Sequence, residues 1–271
     1  MLSPGTVLED RYRIVRPLGT GGTATVYLAL HMELGCLVAL KVMQALDEGR
    51  FPAGALRQFR SEVRVLSTLR HPNLPTVYDV LELEQCLCLS MEYIVGKPLH
   101  EVCHEEGPLA EERILEWARQ LCDALNYLHT RTPPIIYRDL KPGNVMLTEG
   151  EQIKMIDFGI AKLVEESRKG KTETVSRGML TRGYSPVEQY VGGTDARSDI
   201  YALGATMYHL LSGTPPPDSM EVATGRAHPV IVQRADVSAR TAQAIEAMMA
   251  VDRRQRPQDI PAVREMLGLN D

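Results

Sequence analysis

The sequence predicts an α+β chain in two parts, an N-terminal antiparallel sheet with one main helix and a larger helical part after it. Three observations carry that prediction. Apolar runs of strand length, separated by Gly, Glu or charged turns, dominate the chain up to Met91. A single stripe at helical spacing interrupts them, and after Gly96 helical spacing takes over.

The predicted strands of the first part are Thr25–Leu30, Cys36–Val42, Val77–Leu83 and Gln85–Met91. The helix among them, Leu56–Leu69, sets Phe59, Val63 and Leu66 on one face, and Pro72 stops it. In the second part, Ile114–His129 carries Ile114, Trp117, Ala118, Leu121, Leu125 and Leu128 as one stripe. Short apolar strands, Ile135-Ile136, Val145-Met146-Leu147 and Ile153–Ile156, flank polar loops. Ile200–Leu211 is apolar nearly all round and therefore buried, with Gly213 as its cap. Strands followed by helices imply two packed units, residues 1–94 and 95–271, with a cleft between them. Glu165–Lys171 is polar and charged and reads as an exposed loop.

Composition narrows the class. The 271 residues are 44% apolar and 24% charged, enough to build a core without staples. A net charge of −5 with mixed signs gives no footprint for nucleic acid or a membrane surface. Cys86 and Cys88 would share a strand face, and the five cysteines read as small core residues in a reducing compartment. The first residues lack the pattern of a signal peptide, and no run of apolar residues is long enough to span a bilayer. The expected location is the cytoplasm, as a whole protein or as the cytosolic domain of a longer one.

Several segments carry chemistry. Gly19-Thr20-Gly21-Gly22-Thr23-Ala24-Thr25-Val26 lets backbone approach phosphates closely. A strand pattern follows it, which excludes a Rossmann loop, and no Gly-Lys-Ser/Thr makes it a P-loop; taken alone, it also reads as a plain hairpin. Lys41, in the apolar strand Val38-Ala39-Leu40-Lys41, needs an anion for its ammonium. Glu62, near Phe59 and Leu66 on the helix, faces either inward or solvent. The decisive pair is Tyr137-Arg138-Asp139-Leu140-Lys141-Pro142-Gly143-Asn144 and Asp157-Phe158-Gly159. It groups hard oxygen ligands suited to Mg²⁺ with a carboxylate able to accept a hydroxyl proton.

In this order the segments resemble the protein kinase family, most closely bacterial Hanks-type Ser/Thr kinases, over residues 11–267. The resemblance implies the bilobal protein-kinase fold and transfer of the γ-phosphoryl group of ATP to Ser/Thr hydroxyls of protein substrates. Gly19, Gly21, Gly22 and Val26 would cover ATP, and Lys41 would hold its α/β-phosphates and pair with Glu62. Ala39 and Met146 would sandwich the adenine, with the backbone of Glu92 and Ile94 at its edge. Asp139 would be the base, Lys141 would stand near the transferred group, and Asn144 and Asp157 would hold Mg²⁺ or Mn²⁺. Thr181-Arg182-Gly183-Tyr184 resembles the substrate-binding loop, with the Thr181 hydroxyl near Asp139. Glu188 would pair with Arg256, and Asp199 would bond the catalytic-loop backbone. An Arg before the catalytic acid, Arg138, implies autophosphorylation of the activation loop at Thr172 or Thr174, for which two copies would dimerise.

The chain departs from the family pattern at four places. Ala24 replaces the third glycine, Tyr137 replaces a His and would pack against Phe158, and Pro186-Val187-Glu188 replaces Ala-Pro-Glu. Pro98 stands where many kinases place an acid for the ribose, with Glu101 as the nearest substitute. Two other readings share the fold: a nucleotide-binding pseudokinase scaffold, which typically lacks a catalytic group, and a small-molecule kinase. Retention of Lys41, Glu62, Asp139, Asn144 and Asp157 speaks against the first. The segment from Thr181 to Glu188 speaks against the second.

Overall fold

A computed structural model describes residues 2–21, 24–44, 53–83, 86–157, 180–228 and 234–269. They fall into two compact units, one running up to Val95 and the other starting at Gly96.

The first unit is an antiparallel sheet of β1 (Val7–Leu8), β2 (Tyr12–Thr20), β3 (Ala24–His31), β4 (Cys36–Gln44), β5 (Val77–Glu82) and β6 (Cys86–Glu92), in the order β1-β2-β3-β4-β6-β5. Alternation divides each strand between two faces. Tyr12, Ile14, Tyr27, Ala29, Val38, Leu40, Val42, Leu81 and Cys88 form one core cluster. The intervening residues Val26, Ala39 and Lys41 therefore line the opposite face. Strand β2 was missing from the predicted strands because its period is broken: the register shifts between Ile14 and Arg16 and again between Pro17 and Gly19. Helix α1 (Ala53–Leu66) buries Phe59, Val63 and Leu66. It ends before the expected Leu69 because Ser67 Oγ and Thr68 Oγ1 donate to the carbonyls of Arg64 and Val65, closing the last turn.

The second unit contains β7 (Lys97–Pro98), α2 (Leu99–Glu106), α3 (Glu111–His129), β8 (Val145–Leu147), β9 (Ile153–Met155), α4 (Val187–Val191), α5 (Ala196–Ser212), α6 (Ser219–Ala223), α7 (Ala239–Met248) and α8 (Ile260–Leu267). Strands β7, β8 and β9 form a small antiparallel sheet. Gly96 leads into it so closely that a Cβ there would lie 2.1 Å from the Leu147 carbonyl oxygen. Ile135-Ile136 is not a strand. Its backbone turns back on α3, with the Ile135 N–H donating to Leu128 O at 3.1 Å.

Helix α5 packs against α3 and α7 and is buried along most of its length. It starts before the expected Ile200 because Asp195 and Ser198 form a capping box, and Gly213 closes it at φ 74°. The five cysteines are free. Cys86 and Cys88 share a face of β6 with their sulfurs 3.8 Å apart. Among the described residues, no helix is long and apolar enough to cross a membrane.

Candidate active site

The first turn of α5 fixes the loop that carries the candidate base. Asp199 is fully buried there, where an unpaired carboxylate would be strongly destabilising. Its Oδ1 accepts the Arg138 N–H at 2.8 Å, and its Oδ2 accepts the Tyr137 N–H at 2.8 Å. His129 Nε2 also lies 2.8 Å from Oδ2 and must carry a proton to bond an ionised acid. These bonds hold Arg138 at φ 69°, a left-handed conformation that costs a non-glycine residue about 1–2 kcal/mol. Gln189 Nε2 secures the same residue by donating to Arg138 O at 3.1 Å.

The next residue is Asp139, around which a closed polar cluster forms. Asn144 Nδ2 donates to Asp139 O and Oδ2, both at 2.7 Å. Lys141 Nζ lies 3.2 Å from Asp139 Oδ2 and donates to Thr181 Oγ1 at 3.0 Å. Thr181 Oγ1 in turn donates to Asp139 Oδ1 at 3.2 Å. A hydroxyl thus rests on the carboxylate with an ammonium beside it. This is the arrangement that proton abstraction from an alcohol and stabilisation of transferred negative charge require.

Asn144 links this cluster to Asp157. Its amide nitrogen is committed to Asp139, which leaves Oδ1 as the acceptor end of the side chain, and its backbone carbonyl accepts the Ile156 N–H at 2.9 Å. The Asp157 N–H donates to the Tyr137 hydroxyl at 3.2 Å. An amide oxygen and a carboxylate fit a hard divalent cation that completes its shell with phosphate and water oxygens. The Tyr137 ring is buried, and burial, with the Asp157 charge next, holds its hydroxyl protonated far above the ordinary range. Sequence reading gave this ring a packing role against Phe158, which lies outside the described residues. The hydroxyl bond was missed because a motif position says nothing of where a polar tip ends. His129 and Gln189 were missed as well, since a helix-terminal His and a loop Gln carry no motif.

A second buried group braces the segment after Thr181. Arg256 meets Glu188 through two nitrogens, at 2.6 and 3.2 Å, and Ser198 Oγ donates to Glu188 at 2.8 Å. The remaining guanidinium hydrogens go to the carbonyls of Arg197, Ala250 and Val251. Every donor of this buried cation is used, and it stacks 5.0 Å from the Tyr201 ring.

In the first unit, strand register sets the other candidate residues together. Val26 pairs with Lys41 across β3 and β4, and Ala39 pairs with Met91 across β4 and β6. Lys41 is buried on that shared face. Gly19 pairs with Val26, and the Gly21 N–H donates to Ala24 O at 2.8 Å, closing the hairpin. The Glu92 N–H is spent on Thr76 O at 2.8 Å, and its carboxylate accepts the Thr76 N–H at 3.1 Å; Ile94 is buried. Met146 lies in β8 of the second unit, paired with Pro98 and Lys154, and Glu101 is exposed in α2. Gly22, the Glu62 side chain, Thr172, Thr174 and the stretch Glu165–Lys171 lie outside the described residues.

Residues 12–267 match the protein kinase domain family, and the chain belongs to that family and has its fold. Members of the family use ATP and a divalent metal ion to act on proteins. The chain is similar to the serine/threonine-protein kinase PknB of Mycobacterium tuberculosis, at 38% identity over 213 residues, covering 77% of this chain and 33% of that protein. It is 39% identical over 223 residues to serine/threonine-protein kinase pkn2 of Myxococcus xanthus, covering 80% of this chain and 26% of the relative. A probable serine/threonine-protein kinase of Clostridium acetobutylicum is 35% identical over 216 residues, with 79% and 32% covered. The chain spans about a third of the length of PknB, 33%.

Proposed function

We propose that this chain is an active protein Ser/Thr kinase that transfers the γ-phosphoryl group of ATP, with Mg²⁺ as the preferred metal. The observation that carries this reading is the hydroxyl of Thr181 bonded to both Asp139 and Lys141, 3.2 and 3.0 Å away. A substrate hydroxyl in that position would give its proton to Asp139 as its oxygen bonds the γ-phosphorus and the bond to the departing ADP breaks. Lys141 would offset charge on the moving group. Asn144 Oδ1 and the Asp157 carboxylate would hold the metal, whose role is to neutralise phosphate charge.

Residues 1–94 would serve the nucleotide. Gly19, Gly21, Gly22 and Val26 would cover it, Lys41 paired with Glu62 would hold its phosphates, and Ala39, Glu92 and Ile94 would meet its base. Residues 95–271 would supply Met146 to the base and the catalytic and substrate-binding groups, with Arg138, Asp199, Glu188 and Arg256 as supports. The cytoplasm supplies ATP, and five unpaired cysteines suit its reducing conditions.

Control would come from autophosphorylation at Thr172 or Thr174 between transiently paired copies. A phosphate there adds about −1.5 to −2 charge, enough to neutralise Arg138. Intact-mass analysis after expression, with and without phosphatase, tests both proposals. The wild type should carry phosphatase-sensitive additions, and Thr172→Ala/Thr174→Ala should lose them and slow. An unmodified wild-type loop with equal rates in the double variant would remove the switch, while transfer to added substrates would still stand.

A further inference from the structure

The turn that presents Thr181 to Asp139 also presents a cation, Arg182, whose nearest acid among the described residues is Asp218 at 3.9 Å. The Tyr184 and Ser185 N–H groups both donate to Thr181 O, at 3.1 and 3.0 Å, and the Thr181 N–H donates to Ser185 Oγ at 3.2 Å. Gly183, at φ 84°, lies against Pro216 so tightly that a Cβ there would meet its carbonyl oxygen at 2.6 Å. Tyr184 OH bonds His209 Nδ1 on α5, and Ser219 Oγ donates to Ser185 O at 2.7 Å. These contacts anchor the turn at Thr181, Gly183, Tyr184 and Ser185. Arg182 sits within it, its side chain 86% exposed, and among the described residues it donates no hydrogen bond.

The neighbouring acid does not satisfy it. Asp218 is 3.9 Å from Arg182 Nε, beyond hydrogen-bond range, and its carboxylate is 11% exposed. Its oxygens already accept the Met220 N–H at 2.8 Å and the Tyr190 hydroxyl at 3.2 Å. A guanidinium with its planar fork free matches a carboxylate or phosphate bidentately, and a rigid stem lowers the cost of forming that contact. Consecutive Cα atoms lie about 3.8 Å apart, so Arg182 stands beside the acceptor position, within reach of residues flanking a bound hydroxyl.

We infer that Arg182 selects substrates with an anionic side chain next to the phosphoacceptor Ser or Thr. This rests on the kinase reading above and names the substrate class of the same site. The anion is either the carboxylate of Asp or Glu or the phosphate of a residue modified earlier.

The test uses the 271-residue chain and short Thr peptides carrying Glu, phosphoserine, Ala or Lys at single positions on either side of the acceptor. Wild type should favour Glu over Ala in kcat/KM by about fivefold or more at one flanking position, as expected for a partly exposed ion pair. That preference should shrink as salt rises. Arg182→Lys should keep most of it, Arg182→Ala should abolish it, and Arg182→Glu should turn it toward Lys. A preference for phosphoserine well above Glu would identify the phosphate as the natural anion. Equal transfer to all peptides, or a Glu preference that survives Arg182→Glu, would overturn the inference and leave the kinase reading standing. Transfer to no peptide and no protein would overturn both.

Discussion

At the scale of single residues, Asp139 and Tyr137 separate chemistry from support. Replacing Asp139 with Asn removes the proposed proton acceptor, while the groups proposed to hold ATP are other residues. Asp139→Asn should therefore lower turnover by about 10²–10⁴-fold while ATP affinity, read by calorimetry, changes little. Collapse of nucleotide binding in that variant would make Asp139 a ligand or a structural residue. Tyr137→Phe keeps the buried ring and removes only the hydroxyl that accepts the Asp157 N–H at 3.2 Å. It should cost about 1 kcal/mol of stability in denaturant titration, the worth of one hydrogen bond. An unchanged midpoint would mean that the bond contributes nothing. Motif residues such as Asp139, Lys141 and Asn144 were legible because their types and order were diagnostic. The hydroxyl of Tyr137 and the imidazole of His129 were not, because their roles depend on where α3, α5 and the loop meet.

At the scale of elements, the Glu188–Arg256 pair fastens the start of α4 to the segment before α8, with Arg256 fully buried at its side chain. Removing one partner leaves the other charge buried and alone. Arg256→Met should therefore destabilise the chain by about 3–5 kcal/mol, while Glu188→Leu/Arg256→Met should recover part of that loss. Thermal unfolding of wild type, Arg256→Met and the double variant decides it, and a double variant no more stable than Arg256→Met would contradict this account. Sequence patterns located β3, β4, β5, β6, α1, α3 and α5 to within a few residues. Ends were missed where side chains set them: the Asp195 cap starts α5 early, and the Ser67 and Thr68 hydroxyls stop α1 early. Strand β2 is hidden by its two register shifts, and Ile135-Ile136 reads as a strand because an apolar pair does not reveal its backbone partner.

At the scale of the whole molecule, the central claim is catalysis: a complete set of kinase groups that moves phosphate onto protein hydroxyls. A nucleotide-binding scaffold would hold ATP without turnover, and a small-molecule kinase would label alcohols in preference to proteins. The most direct measurement is transfer of label from ATP carrying a radioactive γ-phosphate to a generic protein and to small alcohols, with and without Mg²⁺, followed by phosphoamino-acid analysis. Mg²⁺-dependent label in phosphoserine and phosphothreonine of the protein, lost in Asp139→Asn and absent from the alcohols, is the predicted result. Label confined to the alcohols, equal label with Asp139→Asn, or ATP binding with no transfer to any acceptor would contradict it.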